Sequence, residues 1–339
     1  MIRRSTVFTG AALSLAISLA ACSGSSDPTP TPTPTPTSTA SPTPTPISYS
    51  TFPLTAAVEF GTINSYTSYT GDPAVGGLVL GTSGVEGPST RFRLTALADP
   101  STGTATGTQQ VLRENTEETR FIGADLTAGT PPVTTVTEYA FVQNGTTAGQ
   151  TARGEFLNNT VTGKVTADTG LALLRTSYSA YLRADSTAGA HRITYGVWGY
   201  PTVAADMPAP TTAVPVATAT YTSRIAGRRV TAAGVVRLSG TVTVNVNFGT
   251  GAVTLVATVN TVSALGVETF YGTYNGIGSI AVGATTFTGN FDASSPLPGN
   301  FTGAFFGPQA AELGISFAAS GTVAATDTRL VGVIVGKKN

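Results

Sequence analysis

Sulfur and imidazole are almost missing from this chain. Its 339 residues contain one cysteine (Cys22), one histidine (His191), one tryptophan (Trp198) and two methionines. A lone cysteine has no disulfide partner and no company for a Cys-rich metal site. A lone histidine limits any imidazole-based metal site to one ligand, and His191 reads as a surface residue after a glycine-rich turn. Charge is scarce too, at 11% of residues against the usual quarter. The 18 basic and 18 acidic side chains cancel, so the chain lacks the net positive charge of a nucleic-acid binder. No glycine run sits in the strand-to-helix setting that cradles a dinucleotide. Asp168-Thr169-Gly170 matches the aspartic-protease triplet, but that chemistry needs two aspartates sharing a proton, and one copy is present. No enzyme and no cofactor is expected.

What is present starts with targeting. Residues 1–21 carry Arg3 and Arg4, then an apolar run from Val7 to Ala21 that is too short to span a bilayer and ends in small residues. This reads as a signal peptide. Leu19-Ala20-Ala21-Cys22 has the form of a bacterial lipobox, which makes Cys22 the expected lipidation site. Acyl chains such as palmitate contribute about 0.8 kcal/mol per buried methylene and would anchor the mature chain. Ser23 after the cysteine, in place of an acidic residue, favours the outer membrane, with the cell surface one possible face. Residues 22–46 alternate Pro and Thr, a composition that cannot build a strand ladder and favours an extended spacer. Its reach is on the order of 50–60 Å. Without Arg3 and Arg4, 16 basic residues face 18 acidic ones, a net charge near −2.

Thr, Val, Tyr and Phe with 39 glycines suit strands and turns, so the folded part should be all-β. Residues 47–215 show alternating runs at 92–97, 135–142, 171–182 and 191–200, which predict a mostly antiparallel module. The cluster from Tyr195 to Pro201, with Trp198, reads as a core anchor in preference to a binding platform. Prolines 208, 210 and 215 mark a connector. Residues 216–339 then hold about eight candidate strands, the cleanest at 241–248, where Val242, Val244, Val246 and Phe248 oppose Thr241, Thr243, Asn245 and Asn247. Eight strands close into a barrel that side chains can fill. Short strands with Thr and Asn on the second face favour a soluble barrel over a membrane-spanning one, which needs strands of about 9–11 residues. A loop after the first strand is expected to hold Arg224, Arg228 and Arg229, the one concentrated basic segment and the candidate ligand contact.

The stretch 300–317 organises this second part. Phe301, Gly303 and Phe305 share one strand face and Thr302, Ala304 and Phe306 the other. Gly307-Pro308 stops the strand, 309–313 reads as a short helical turn ended by Gly314, and Ile315 resumes a strand. The motif F-x-G-x-F-F-G-P-x-A-x-E-L-G, followed by V-G-V-I-V-G-K-K at 331–338, resembles the C-terminal barrel of the transferrin-binding protein B family of lipoproteins. The resemblance covers about 217–338. It implies a handle-like module before an eight-stranded barrel, and a ligand-binding role. Relatives take iron sources such as transferrin or haemoglobin, or bind host factors. The barrel signature occurs once, without the paired lobes of transferrin-binding protein B, so the identity of the ligand does not carry over. The expectation is an outer-membrane-anchored binding module for a protein or small ligand, with a protein partner or an outer-membrane receptor. The alternative is a structural envelope lipoprotein without a soluble ligand.

Overall fold

The structure is a computed structural model that describes residues 47–339 except 128–132, 146 and 214. The signal peptide, Cys22 and the Pro/Thr spacer lie outside the described residues. From residue 46 the chain forms one compact unit. No α-helix occurs among the described residues, only short 3-10 turns such as Pro100–Thr102 and Pro308–Ala310.

Eight strands build the first module: β1 (Val58–Thr70), β2 (Val79–Ala96), β3 (Gln110–Glu114), β4 (Glu117–Phe121), β5 (Glu138–Asn144), β6 (Gln150–Leu157), β7 (Thr176–Asp185) and β8 (Ala190–Gly199). Their order is β4-β3-β2-β1-β8-β7-β6-β5, antiparallel throughout. The sheet curls until its two edges meet, so that Phe121 of β4 stacks on Phe141 of β5 at 5.5 Å. Its concave side is an aromatic core of Phe60, Phe92, Phe121, Phe141, Phe156, Tyr181 and Trp198. Trp198 packs between Phe52 and Phe60, which makes the cluster around it a core anchor.

The second module is a closed antiparallel barrel of β9 (Thr218–Thr231), β10 (Gly234–Asn247), β11 (Ala252–Val262), β12 (Glu268–Ile280), β13 (Thr286–Phe291), β14 (Gly299–Phe306), β15 (Glu312–Val323) and β16 (Thr326–Lys338). The alternation read at 241–248 is real. Val242, Val244 and Val246 face inward beside Val253, Leu255 and Ala257, while Thr241, Thr243 and Asn245 face out. Phe287, Phe301, Phe305 and Phe317 fill the remaining interior. The void ringed by Ile225, Tyr274, Phe291 and Phe317 is only about 10 Å³, too small for a ligand.

Several boundaries differ from the sequence reading. Alternation at 267–274 and 279–284 reads as two strands, but residues 268–280 form the single β12 and 281–285 the hairpin after it. The turn at 308–310 is shorter than expected and β15 resumes at Glu312, because Glu312 and Leu313 are both captured by neighbours. Strands of 11 to 14 residues are common in the barrel, so length does not separate it from a membrane-spanning one. Sidedness does, since membrane barrels carry their apolar band outside and polar groups within. Here the packing is the reverse.

The outer face of β9, β14, β15 and β16 packs against the convex face of the first sheet. Ala226, Val230, Phe306, Val331, Val333 and Val335 meet Ile63, Tyr178, Ile193, Tyr195 and Val197 in one buried apolar layer. Gly314 belongs to this layer rather than to a helix cap: a Cβ there would overlap Val197. Polar pins cross the layer. Ser65 Oγ donates to Gly332 O and Ser316 Oγ to Ile63 O, each at 2.8 Å. The Glu312 carboxylate accepts from the backbone N–H groups of Leu174, Arg175 and Thr176 at 2.7, 2.9 and 2.8 Å.

Candidate functional site

Antiparallel up-and-down order sends alternate connections to the same end of the molecule. At one end lie the β1–β2, β5–β6 and β7–β8 hairpins of the sheet and the β9–β10, β11–β12, β13–β14 and β15–β16 connections of the barrel. The two modules abut there, with Leu78 N donating to Ala232 O at 3.0 Å. Residues 47–57 enter the fold at the opposite end, where Phe52 N bonds Leu174 O and Val203 N bonds Tyr49 Oη. With strands of about 13 residues at roughly 3.3 Å each, the two ends stand about 40 Å apart.

The hairpin end carries large apolar side chains at its tips, as the opposite end does at Val216 and Val282. Val75, Leu265, Val267 and Phe270 are exposed, Leu265 to 92%. Ser263 holds the β11–β12 hairpin in shape: its hydroxyl accepts from Val267 N, its carbonyl accepts from Gly266 N, and its own N–H donates to Val267 O. Leu265, Val267 and Phe270 share one hairpin, and clustered exposed apolar side chains mark an interaction surface more often than singly scattered ones do.

Beside these tips the mouth of the curled sheet is polar, a cleft of about 710 Å³. Alternation explains the change in chemistry along one strand. Tyr181 belongs to the aromatic core, and Arg183, two residues on, shares its inward face where the core ends. Arg192 and Thr194 of β8 and Glu114 of β3 reach the same spot. Glu114 is 1% exposed and accepts from Arg183, from Arg192 Nε at 3.0 Å and from Thr194 Oγ1. Burial opposes its ionisation, but the two guanidiniums win and hold its carboxyl below the ordinary value. Arg183 also pairs with the exposed Glu117, and Arg192 lies over the Tyr66 ring at 4.3 Å. The Tyr181 hydroxyl meets Thr119 Oγ1 at 2.6 Å.

The structure separates the residues that the sequence grouped. Arg224, Arg228 and Arg229 are not in a loop. All three lie within β9, which continues to a two-residue turn at 232–233. They point to different places. Arg224 stands 4.0 Å from Asp168, and Arg229 lies over Tyr271 at 5.0 Å. Arg228 is 7% exposed between the two modules, where it holds Glu155 at 2.7 and 2.9 Å and donates to Tyr195 Oη. Asp168 caps its own turn by accepting from Gly170 N at 2.8 Å. His191 stacks on Tyr69 at 4.6 Å, and burial lowers its pKa below the ordinary value. The Glu114–Arg183–Arg192 cluster was missed because its members come from three strands: pairing of β7 with β8 joins the two arginines, and only the curl of the sheet brings Glu114 of β3 to them. No group of His, Cys, Asp and Glu side chains that could hold a metal ion occurs among the described residues.

Fold and site together define a two-module β scaffold with a packed barrel, a curled companion sheet and one decorated end. No protein-family model matches the chain and no curated protein matches it in sequence. Solved structures of transferrin-binding protein B do match. A Haemophilus parasuis Hp5 double mutant is 12% identical over 86% of this chain and 78% of that one, with a TM-score of 0.38. The isotype 1 protein of serogroup B Neisseria meningitidis is 13% identical over 82% of this chain and 43% of that one, also with a TM-score of 0.38. They are structures of the family that the 300–317 motif resembles.

Proposed function

We propose that this protein is a lipid-anchored, outer-membrane binding module that captures a protein partner on its hairpin end. The observation that carries the reading is the row of exposed apolar tips, Val75, Leu265, Val267 and Phe270, at the end opposite to where residues 47–57 enter. A chain tethered through Cys22 and the Pro/Thr spacer would present that end outward. An interface needs about 800 Å² per partner, which hairpins from both modules can supply. The interior of the barrel has no room for a ligand, so contacts fall to hairpins and the curled sheet. The resemblance at 300–317 supports a partner that carries iron or comes from a host, or a membrane receptor that receives the cargo. Arg229, near the β9–β10 turn, is the member of the arginine trio best placed to border this surface; Arg228 is engaged inside.

The test is capture by the soluble fragment 47–339 of transferrin, haemoglobin or a component of the native outer membrane. Saturable capture, with expression rising under iron limitation, is the expected result. No capture, with envelope defects on deletion, would favour the structural alternative.

A further inference from the structure

We propose that the polar mouth of the first module is a second, small-molecule site, and that it takes a carboxylate-bearing polyol of sugar size, such as a uronic acid or a hydroxy acid. The site does not include the exposed apolar tips Val75, Leu265, Val267 and Phe270. The curl of the first sheet shapes the site. Its concave side is filled with aromatic rings up to Tyr181 and Phe121, and above them the cavity is left open over about 710 Å³. Open barrel mouths of this volume are a common place for small ligands, and the size suits a mono- or disaccharide.

The chemistry of the wall selects the ligand. Two guanidiniums, Arg183 and Arg192, converge on the single buried carboxylate of Glu114. One buried carboxylate cannot satisfy two five-donor forks. Arg183 also pairs through Nη1 with Glu117, whose side chain is 66% exposed and sits on the five-residue strand β4, while its Nε is left without a partner. Because the Glu117 side is exposed and screened by water, this pair yields to a competitor more readily than the buried Glu114 pair does. Glu117 therefore acts as an internal stand-in for a ligand carboxylate. Arginine is suited to that exchange because its planar fork meets a carboxylate in bidentate fashion. Arg192 is held in place by the Tyr66 ring, and Arg183 lies over Tyr181 at 5.0 Å, so both forks are positioned before a ligand arrives. The wall also carries the Gln150 amide and the Gln143 amide oxygen, suited to hydroxyl groups, together with the carboxylates of Glu118 and Asp185, which accept from hydroxyl donors. An apolar ligand would desolvate these polar groups without giving them partners.

The experiment is titration of fragment 47–339 with glucuronate, citrate and glucose, read by calorimetry and amide chemical shifts at low salt. The expected result is saturable binding of glucuronate or citrate with shifts around Thr119, Tyr181 and Arg192, and none for glucose. Glu117→Gln, an exposed change that leaves the buried pair intact, should tighten carboxylate binding about three- to tenfold by removing the competitor. Arg192→Leu should abolish it. Because Arg192 also supports Glu114, its effect is judged only if the variant unfolds cooperatively. Failure of both carboxylates to bind wild type and Glu117→Gln would overturn the proposal, as would equal binding of glucose. Weaker binding in Glu117→Gln would also overturn it, since Glu117 would then be a ligand contact and no stand-in. None of these outcomes bears on protein capture by the hairpins.

Discussion

Arg228 and Glu155 show what a residue can do that its neighbours in sequence do not reveal. Arg228 stands beside Arg229 in a stretch that reads as a basic loop, yet it is buried against Glu155 of the other module. Burial disfavours the ionised Glu155 carboxyl, but Arg228, Arg153 and Arg237 outweigh it and hold the pKa below the ordinary value. Removing one member leaves the other as an uncompensated buried charge. Glu155→Gln should therefore cost about 3–5 kcal/mol by urea unfolding. The pH dependence follows in sign. A carboxyl whose folded pKa is depressed stabilises the fold above the unfolded value of about 4.3 and loses that contribution as pH falls through the folded value. Glu155 and Glu114 both behave this way, so stability should hold between about pH 5 and 8 and drop below about pH 4. Gly303 makes a separate residue-level point. The Phe287 ring lies against its backbone inside the barrel, where a Cβ would overlap it. Gly303→Val should destabilise by about 1–3 kcal/mol, the range for overpacking, and a change within ±0.5 kcal/mol would show the contact to be incidental.

Among the elements, the stretch 300–317 joins the two modules. The strand period was legible in it: Phe301 and Phe305 fill the barrel, while Ala304 and Phe306 face the first sheet. The role of Glu312 was not legible, because its three partners lie in 174–176, far away in sequence. The helical reading of 309–313 failed for the same reason. Local propensity favoured a turn of helix, but tertiary contacts drew Glu312 and Leu313 into β15. Around this joint Thr202 N bonds Phe305 O, Gly307 N bonds Tyr200 O, and Gln309 N bonds Asp206. Glu312→Ala would leave three backbone donors unpaired and should cost about 3 kcal/mol or more. Its clearest readout is faster amide exchange at 174–176 before global unfolding. Alternation at 241–248 was readable because one strand carries the whole signal. The β9 hairpin was not, since its arginines interrupt the pattern until their partners across the sheet are known.

The whole molecule is less divisible than its sequence suggests. The composition break at 207–215 falls between β8 and β9, but the modules share a buried apolar layer and the Arg228–Glu155 pair. We expect fragment 216–339 to keep its closed ladder while exposing Ala226, Val230, Phe306 and Val331. It should retain β-type circular dichroism, bind a hydrophobic dye, and unfold at lower denaturant than 47–339. A fragment as stable as the whole would show that the layer contributes little. At the other end of the chain, Cys22→Ala should release the protein from the membrane fraction, and unchanged retention would remove the lipid anchor from the account. The central claim is capture at the hairpin end. It is tested most directly by measuring the affinity of immobilised 47–339 for transferrin, haemoglobin and outer-membrane extract, alongside two surface variants. The account predicts saturable binding of at least one of these. Leu265→Asp with Phe270→Asp should weaken it at least tenfold, and Val282→Asp, at the opposite end, should leave it unchanged. Binding that ignores the tip substitutions, or no saturable binding at all, would contradict it.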